Sequence, residues 1–298
     1  MKHPSPSPLF VICALLSFRI YSAFVFRTSP LSSQDIEMKS SARVGRPYEE
    51  FPGIIQEVIS HVSEHPVPFV STEMYYKSSD SLPPRKLSSL VEKVQKWKPA
   101  AAEADEMETG HSELIGPEQQ NYLSVVKAVL FYALDALDES HNLVLPLSWP
   151  SPTPFGGPAI RGSAAAQDAT LCHAMLHRRE GDFIGAEAGL SGWDNASFWF
   201  SRVDRGHPVY PLLVQFCRER AKGEAGGQTH AKRKDSIFEK LGKNSNWSSS
   251  LLTSLVESGV CGGLSEEDKK EIEEVLFAEW KFLLDKCWGK LSRCHNSD

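Results

Sequence analysis

CHAMLHRREGDFIGAEAGLSGWDNASFWFSRVDRGHP, residues 172–208, is the stretch that decides the fold. Around its first third, Leu171, Cys172, Met175 and Leu176 recur at the spacing of one helix face. Gly181 and Asp182 interrupt that pattern. Ala196, Trp199, Phe200 and Val203 then resume it as a second apolar stripe, with Asp194 placed to cap the new helix and Gly206 and Pro208 to stop it. The spacing predicts helices over 167–181 and 194–203, joined through a glycine-rich turn into a hairpin.

The chain on either side repeats the helical period. Toward the C-terminus, Pro211 opens a helix that buries Leu212, Leu213, Phe216 and Cys217, and a polar loop over 221–234 follows. Residues 237–241 and 249–257 read as short helices. Ser265 and Asp268 then form a capping box for a long final helix bearing Ile272, Val275, Leu276, Phe282, Leu283 and Cys287. Toward the N-terminus, Pro117 suits the first position of a helix over 117–138, whose stripe is Tyr122, Val125, Val126, Val129, Ala133 and Leu137. Two further helices are predicted. One opens at Pro52, carries Ile54, Ile55, Val58, Ile59 and Val62, and is ended by Pro66 and Pro68. The other runs over 86–97 with Leu87, Leu90, Val91 and Val94. Residues 98–110 are Ala- and Glu-rich without periodicity and read as a linker. The stretch 142–163 holds Pro146, Pro150, Pro152, Pro154 and Pro158 and is expected as a long loop, packed down at Trp149 and Phe155 like a lid. No segment alternates as a strand does. The expected fold is all-α, an irregular helical bundle with the hairpin at its centre. Its expected divisions are N-terminal helices and linker over 47–110, a central domain over 111–220 and C-terminal helices over 221–298.

Composition narrows the function. A 298-residue chain with 41% hydrophobic residues is ordinary globular material, and a net charge of −6 speaks against nucleic-acid binding. The one basic run, 231–234, reads as a solvated linker. The first residues have the layout of a signal peptide: Lys2 and His3, the apolar run 9–16 broken off by Arg19, then Ser22 and Ala23 before Phe24. Residues 27–46 are Ser-rich and basic, as in transit peptides, and Ser22-Ala23-Phe24 resembles the bipartite plastid-targeting presequences of algae with secondary plastids. Residues 1–46 are therefore expected to be a removed presequence that directs the chain to a plastid, with secretion the alternative and no membrane segment in the mature form. Cys13 belongs to that segment. The other five cysteines lack the spacing of a zinc knuckle or a dithiol motif and read as reduced thiols. Sequons stand at Asn195 and Asn246.

The chemistry concentrates on the first helix of the hairpin. His173, His177 and Glu180 fall at i, i+4 and i+7 on one arc, so two imidazoles and a carboxylate can reach one divalent metal ion and leave a coordination position open. His141 and His207 are candidate further ligands. The order is not HExxH, there is no GxSxG, and Gly156-Gly157 and Gly262-Gly263 are too short to cradle phosphate. The alternative reading makes His173, His177, Arg178 and Glu180 a solvated flank, with Arg178 or Arg179 paired to Glu180 or Asp182. Arg178, Asp182, Asn195, Trp199 and Arg202 would then be the residues that meet a partner, although the stripe explains Trp199 more simply as core.

The segments 173–183 and 195–202, with His207-Pro208, resemble a mostly bacterial family of uncharacterised proteins in which HxxxHRxEGD runs into NAxYWFRR and a His-Pro. Here residues 184–194 separate the two halves. The likeness covers about a quarter of the chain, with 138–141 as an outlying match, and implies a fold but no reaction. The hairpin is also similar to one tetratricopeptide unit, with Gly181-Asp182 at the turn, Ala196 at the helix contact and Pro208 closing the second helix. A single copy is short of the three or so that a stacked array needs. Two functions follow: a helical module that binds a protein or small-molecule partner in an organelle, or a metal-dependent, hydrolase-like enzyme built on His173, His177 and Glu180.

Overall fold

Each apolar stripe becomes a helix in the computed structural model, which describes residues 47–65, 70, 85–99, 116–152, 157–182, 190–223 and 236–293. Ten α-helices run through these residues: α1 (Gly53–Glu64), α2 (Arg85–Lys96), α3 (Pro117–Ala133), α4 (Leu137–Ser148), α5 (Ala166–Glu180), α6 (Gly192–Phe200), α7 (Val209–Ala221), α8 (Ile237–Gly242), α9 (Ser249–Val260) and α10 (Glu266–Arg293). The described residues contain no strand, and the fold is all-α. None of the described helices is long and apolar enough to cross a membrane. The presequence expected over 1–46, Pro66, Pro68, the linker beyond Pro99, Phe155, Gly156, the basic run 231–234 and Cys294 lie outside the described residues.

Two helices occupy the middle because most of their length is enclosed. Along α3, Val125, Val126, Ala128, Val129, Leu130, Phe131 and Tyr132 are all buried, while Ser124 and Lys127 are only half-buried. Around it stand α1, α2, α4, α5 and α10. Along α5, twelve consecutive residues from Asp168 to Arg179 are buried, including two histidines and two arginines. Helices α7, α8, α9 and the first half of α10 enclose an adjoining cluster of Cys217, Ile237, Leu241, Leu252, Val256, Ile272 and Val275.

Enclosing Arg178 and Arg179 requires partners, since a buried unpaired cation is strongly unfavourable. Arg178 pairs with Glu279 of α10, both side chains almost wholly buried. Arg179 donates to the Tyr132 carbonyl at the end of α3 and, at 2.7 Å, to the Asp135 carboxylate. The expected pairing of either arginine with Glu180 or Asp182 is thereby corrected. The sequence shows the near neighbours along one helix, whereas the pairing partners come from other helices. The next residue of α10, Trp280, donates its indole N–H to the Val129 carbonyl at 2.9 Å and locks α10 onto α3.

Several helix boundaries differ from the sequence reading. The helix expected over 117–138 stops at Ala133, where Asp135 takes a left-handed φ of 63° and turns the chain into α4. The first part of the expected loop over 142–163 is thus helical. Pro146 sits in the last turn of α4, and burial of Val144, Leu145 and Leu147 carries the helix through it. Trp149 packs down as expected, half-buried against Phe198 and Trp199. Helix α6 is capped by Ser191 rather than Asp194: the Ser191 hydroxyl accepts the Asp194 N–H at 3.1 Å, and Asp194 closes the capping box from the third position. Helix α7 begins at Val209, ahead of Pro211.

Replacing Arg178 by Met strands the Glu279 carboxylate in the core and should lower stability by about 3–5 kcal/mol, whereas Arg178→Met with Glu279→Leu should recover most of that loss. Urea midpoints of the wild type, both single variants and the pair measure it, and equal losses in the pair and in Arg178→Met alone would contradict the pairing.

Candidate metal centre

The first turns of α4 and the middle of α5 bring three histidines together, His141 edge-on to the stacked pair His173 and His177. His141 comes from α4 and His173 and His177 from successive turns of α5, with one ring nitrogen from each lying within 4.8 Å of the others. Ring centroids are 4.7 Å apart for His173 and His177, 4.8 Å for His141 and His173, and 5.6 Å for His141 and His177. His173 is wholly buried, His177 nearly so, and His141 is half-buried and forms the solvent edge. Trp199 of α6 covers His173, its ring stacked at 3.8 Å and 26°.

Hydrogen bonds hold the ring orientations. The Ser148 hydroxyl lies 2.9 Å from the Val144 carbonyl, 3.3 Å from the Leu145 carbonyl and 2.8 Å from His173 Nδ1, and so ties His173 to α4 through that nitrogen. His173 Nε2 is buried without a hydrogen-bond partner. His177 Nδ1 bonds the Glu180 carboxylate at 2.6 Å. Imidazoles that ligate metals are commonly oriented in this way through the other nitrogen. Burial lowers the pKa of His173 well below the ordinary 6.5, with His177 and His141 adding to the effect. Burial also lowers His141, with a smaller contribution from His177, while the Glu180 and Asp138 carboxylates oppose it. One nitrogen of each of the three rings lies within 4.8 Å of the others, a spacing that suits a cation.

The donor set defines which cation. Three imidazole nitrogens without thiolate favour zinc and its late transition-metal neighbours over calcium or magnesium. Nitrogen–metal bonds of about 2.0–2.1 Å in a tetrahedral arrangement place ligand nitrogens about 3.3 Å apart. The three rings must therefore close by about 1.5 Å at most from their widest separation. No fourth protein donor belongs to this cluster among the described residues. Cys172, the nearest thiol in sequence, faces Ser140 at 3.9 Å, and burial pushes its pKa up to about 12, so it is a packing residue rather than a nucleophile.

The other sequence candidates distribute as follows. Glu180 is not in the ligand cluster; its carboxylate holds His177 Nδ1, and its expected role as ligand is corrected to that of orienting His177. His207 belongs elsewhere: its Nε2–H donates to Asp168 at 2.9 Å, and Lys286 holds the same carboxylate at 2.7 Å. That correction follows from its place before α7, beside α10 rather than α4. The solvated-flank reading of His173, His177 and Arg178 is overturned by their burial. Arg178 lies in the core, Asp182 is exposed after the turn, Asn195 is half-buried, and Arg202 is exposed with its guanidinium 3.5 Å from the Phe198 ring centroid. Two contributors escaped the sequence reading. Ser148 was hidden in the proline-rich stretch. Gly192 permits α6 to approach α5, since a Cβ there would lie 2.6 Å from both Glu180 Cβ and the His177 carbonyl oxygen. Its only signal was a glycine in the first turn of an apolar helix.

No protein-family model, curated protein or solved structure matches this chain.

The lowered His141 and His173 leave the unfolded chain binding more protons than the folded one once the pH falls below about 6.5. Metal-free protein should thus lose stability as the pH drops from 7.5 toward 5.5, by up to about 1.4 kcal/mol per pH unit for each such histidine. His173→Phe should flatten the profile. Thermal unfolding in chelator at each pH checks this, and a variant profile parallel to wild type would contradict it.

Proposed function

We propose that this protein is a metal-dependent, hydrolase-like enzyme whose divalent ion is held by His141, His173 and His177. The observation that carries the reading is the clustering of one ring nitrogen each from His141, His173 and His177 within 4.8 Å of one another, with the Nε2 of His173 buried and unpartnered. Three neutral ligands leave the ion's charge undiminished and a position for water, the arrangement that lowers the pKa of a bound water and makes it a nucleophile near neutrality. Glu180 would orient His177 and raise its basicity. In the same reading α5 and α6 form a tetratricopeptide-like hairpin, with Gly181 at the turn and the fully buried Ala196 at the helix contact, and residues 1–46 deliver the chain to a plastid. The partner-binding alternative draws less support: the large apolar side chains exposed among the described residues, Tyr48, Ile160, Leu190, Leu212 and Leu251, stand on five separate segments.

Purified protein should contain close to one zinc, or take up one cobalt(II) with the visible absorption of a tetrahedral site. His173→Ala with His177→Ala should abolish this, and Glu180→Gln should weaken affinity about 10–100-fold while helix content is retained. Protein that neither carries nor takes up such an ion would end the metal reading.

A further inference from the structure

We propose that the cleft between the C-terminal ends of α7 and α8 binds a small anion carrying two linked phosphate groups, at a site independent of the three histidines. The cleft measures about 360 Å³, a size common among small-ligand sites. Each wall contributes two cations. Arg218 and Lys222 stand four residues apart at the end of α7, and Lys240 and Lys243 three apart at the end of α8. Residues at those spacings share a helix face, and both pairs line the same space. One carboxylate, Glu239, lines it with them.

A cation at the C-terminal end of a helix is ordinary where it meets the outward carbonyls. Arg218 does this: its Nε donates to the Gly242 carbonyl at 2.9 Å and its Nη2 to the Asn244 carbonyl at 3.2 Å. Gly242 permits the close approach, since a Cβ there would lie 3.1 Å from both the Arg218 backbone nitrogen and its Cγ. The three lysines are different. Lys222, Lys240 and Lys243 are exposed, and among the described residues they make neither an ion pair nor a hydrogen bond to a carbonyl. The carboxylates nearby act elsewhere: Glu274 pairs with Arg220, Glu271 accepts the Ile237 N–H at 2.7 Å, and Glu219 accepts the Gln215 amide at 2.8 Å. None of these three lines the cleft.

Four cations thus surround one cleft against a single carboxylate, in a chain whose net charge is −6. Like charges gathered in one place repel, and a bound anion relieves them. With cations on both walls, a ligand that presents charged oxygens to each wall at once gains more charge-assisted hydrogen bonds than a single tetrahedral ion does. Two linked phosphates have that form. The same group occurs as the inorganic ion and on organic molecules.

Isothermal titration calorimetry of the full chain tests this with inorganic pyrophosphate, ADP and sulfate, at an ionic strength of about 0.15 M. Metal-free protein is used, so that a chelating anion has no ion to bind. Pyrophosphate should bind one equivalent with a Kd at least about tenfold below that of sulfate. Lys222→Gln with Lys240→Gln should weaken it at least about tenfold. Arg205→Gln with Lys270→Gln removes the same charge from exposed positions outside the cleft and should leave the Kd nearly unchanged. ADP that binds more tightly than pyrophosphate would mark an organic diphosphate as the ligand, and ADP that binds equally or less tightly the inorganic ion. Pyrophosphate that fails to bind, binds no better than sulfate, or is weakened equally by both pairs of substitutions overturns the inference and leaves the metal reading untouched.

Discussion

A guanidinium removed from water must be met by an anion and by carbonyl oxygens, and two such groups on adjacent residues of α5 govern how the bundle is assembled. Arg178 reaches α10 through Glu279, and Arg179 reaches the end of α3 through Asp135 and the Tyr132 carbonyl. Because these pairs leave α5 in different directions, they fix its rotation about its own axis. His173 and His177 then have only one direction left, toward α4. The convergence of three imidazoles is therefore a consequence of where the arginines are anchored.

Steric fit completes what the charges begin. Gly192 lets α6 press against the end of α5, which holds Glu180 where its carboxylate meets His177. Trp199, from the same helix, closes over His173. One short helix thus supplies both the cover of the centre and the restraint on its outer carboxylate. Ser148, in the last turn of α4, supplies the matching restraint on His173. Both buried histidines are bonded by groups that lie outside the three-histidine cluster.

Much of the secondary structure was legible because apolar periodicity is a local property. The stripes of α1, α3, α5, α7 and α10 all appear in the sequence, and so does the i, i+4 pair His173 and His177. What escaped notice was decided by distant contacts. Helix α4 was hidden by Pro146, a residue that breaks most helices but is tolerated in a final turn whose neighbours are buried. Arg178 looked like a surface residue because nothing nearby in sequence announces Glu279. His207 was as plausible a ligand as His141 by residue type, and only packing sends one toward α5's other histidines and the other to Asp168.

The Arg178 and Glu279 pair spans 101 positions of sequence, and that separation bears on how such a chain can diverge. Neither member tolerates loss of the other inside the core, so a change at one position is viable only when accompanied by a change at the second. Lineages descended from this sequence should therefore show the two positions varying together or not at all. Surface helices such as the start of α10 are free to drift independently.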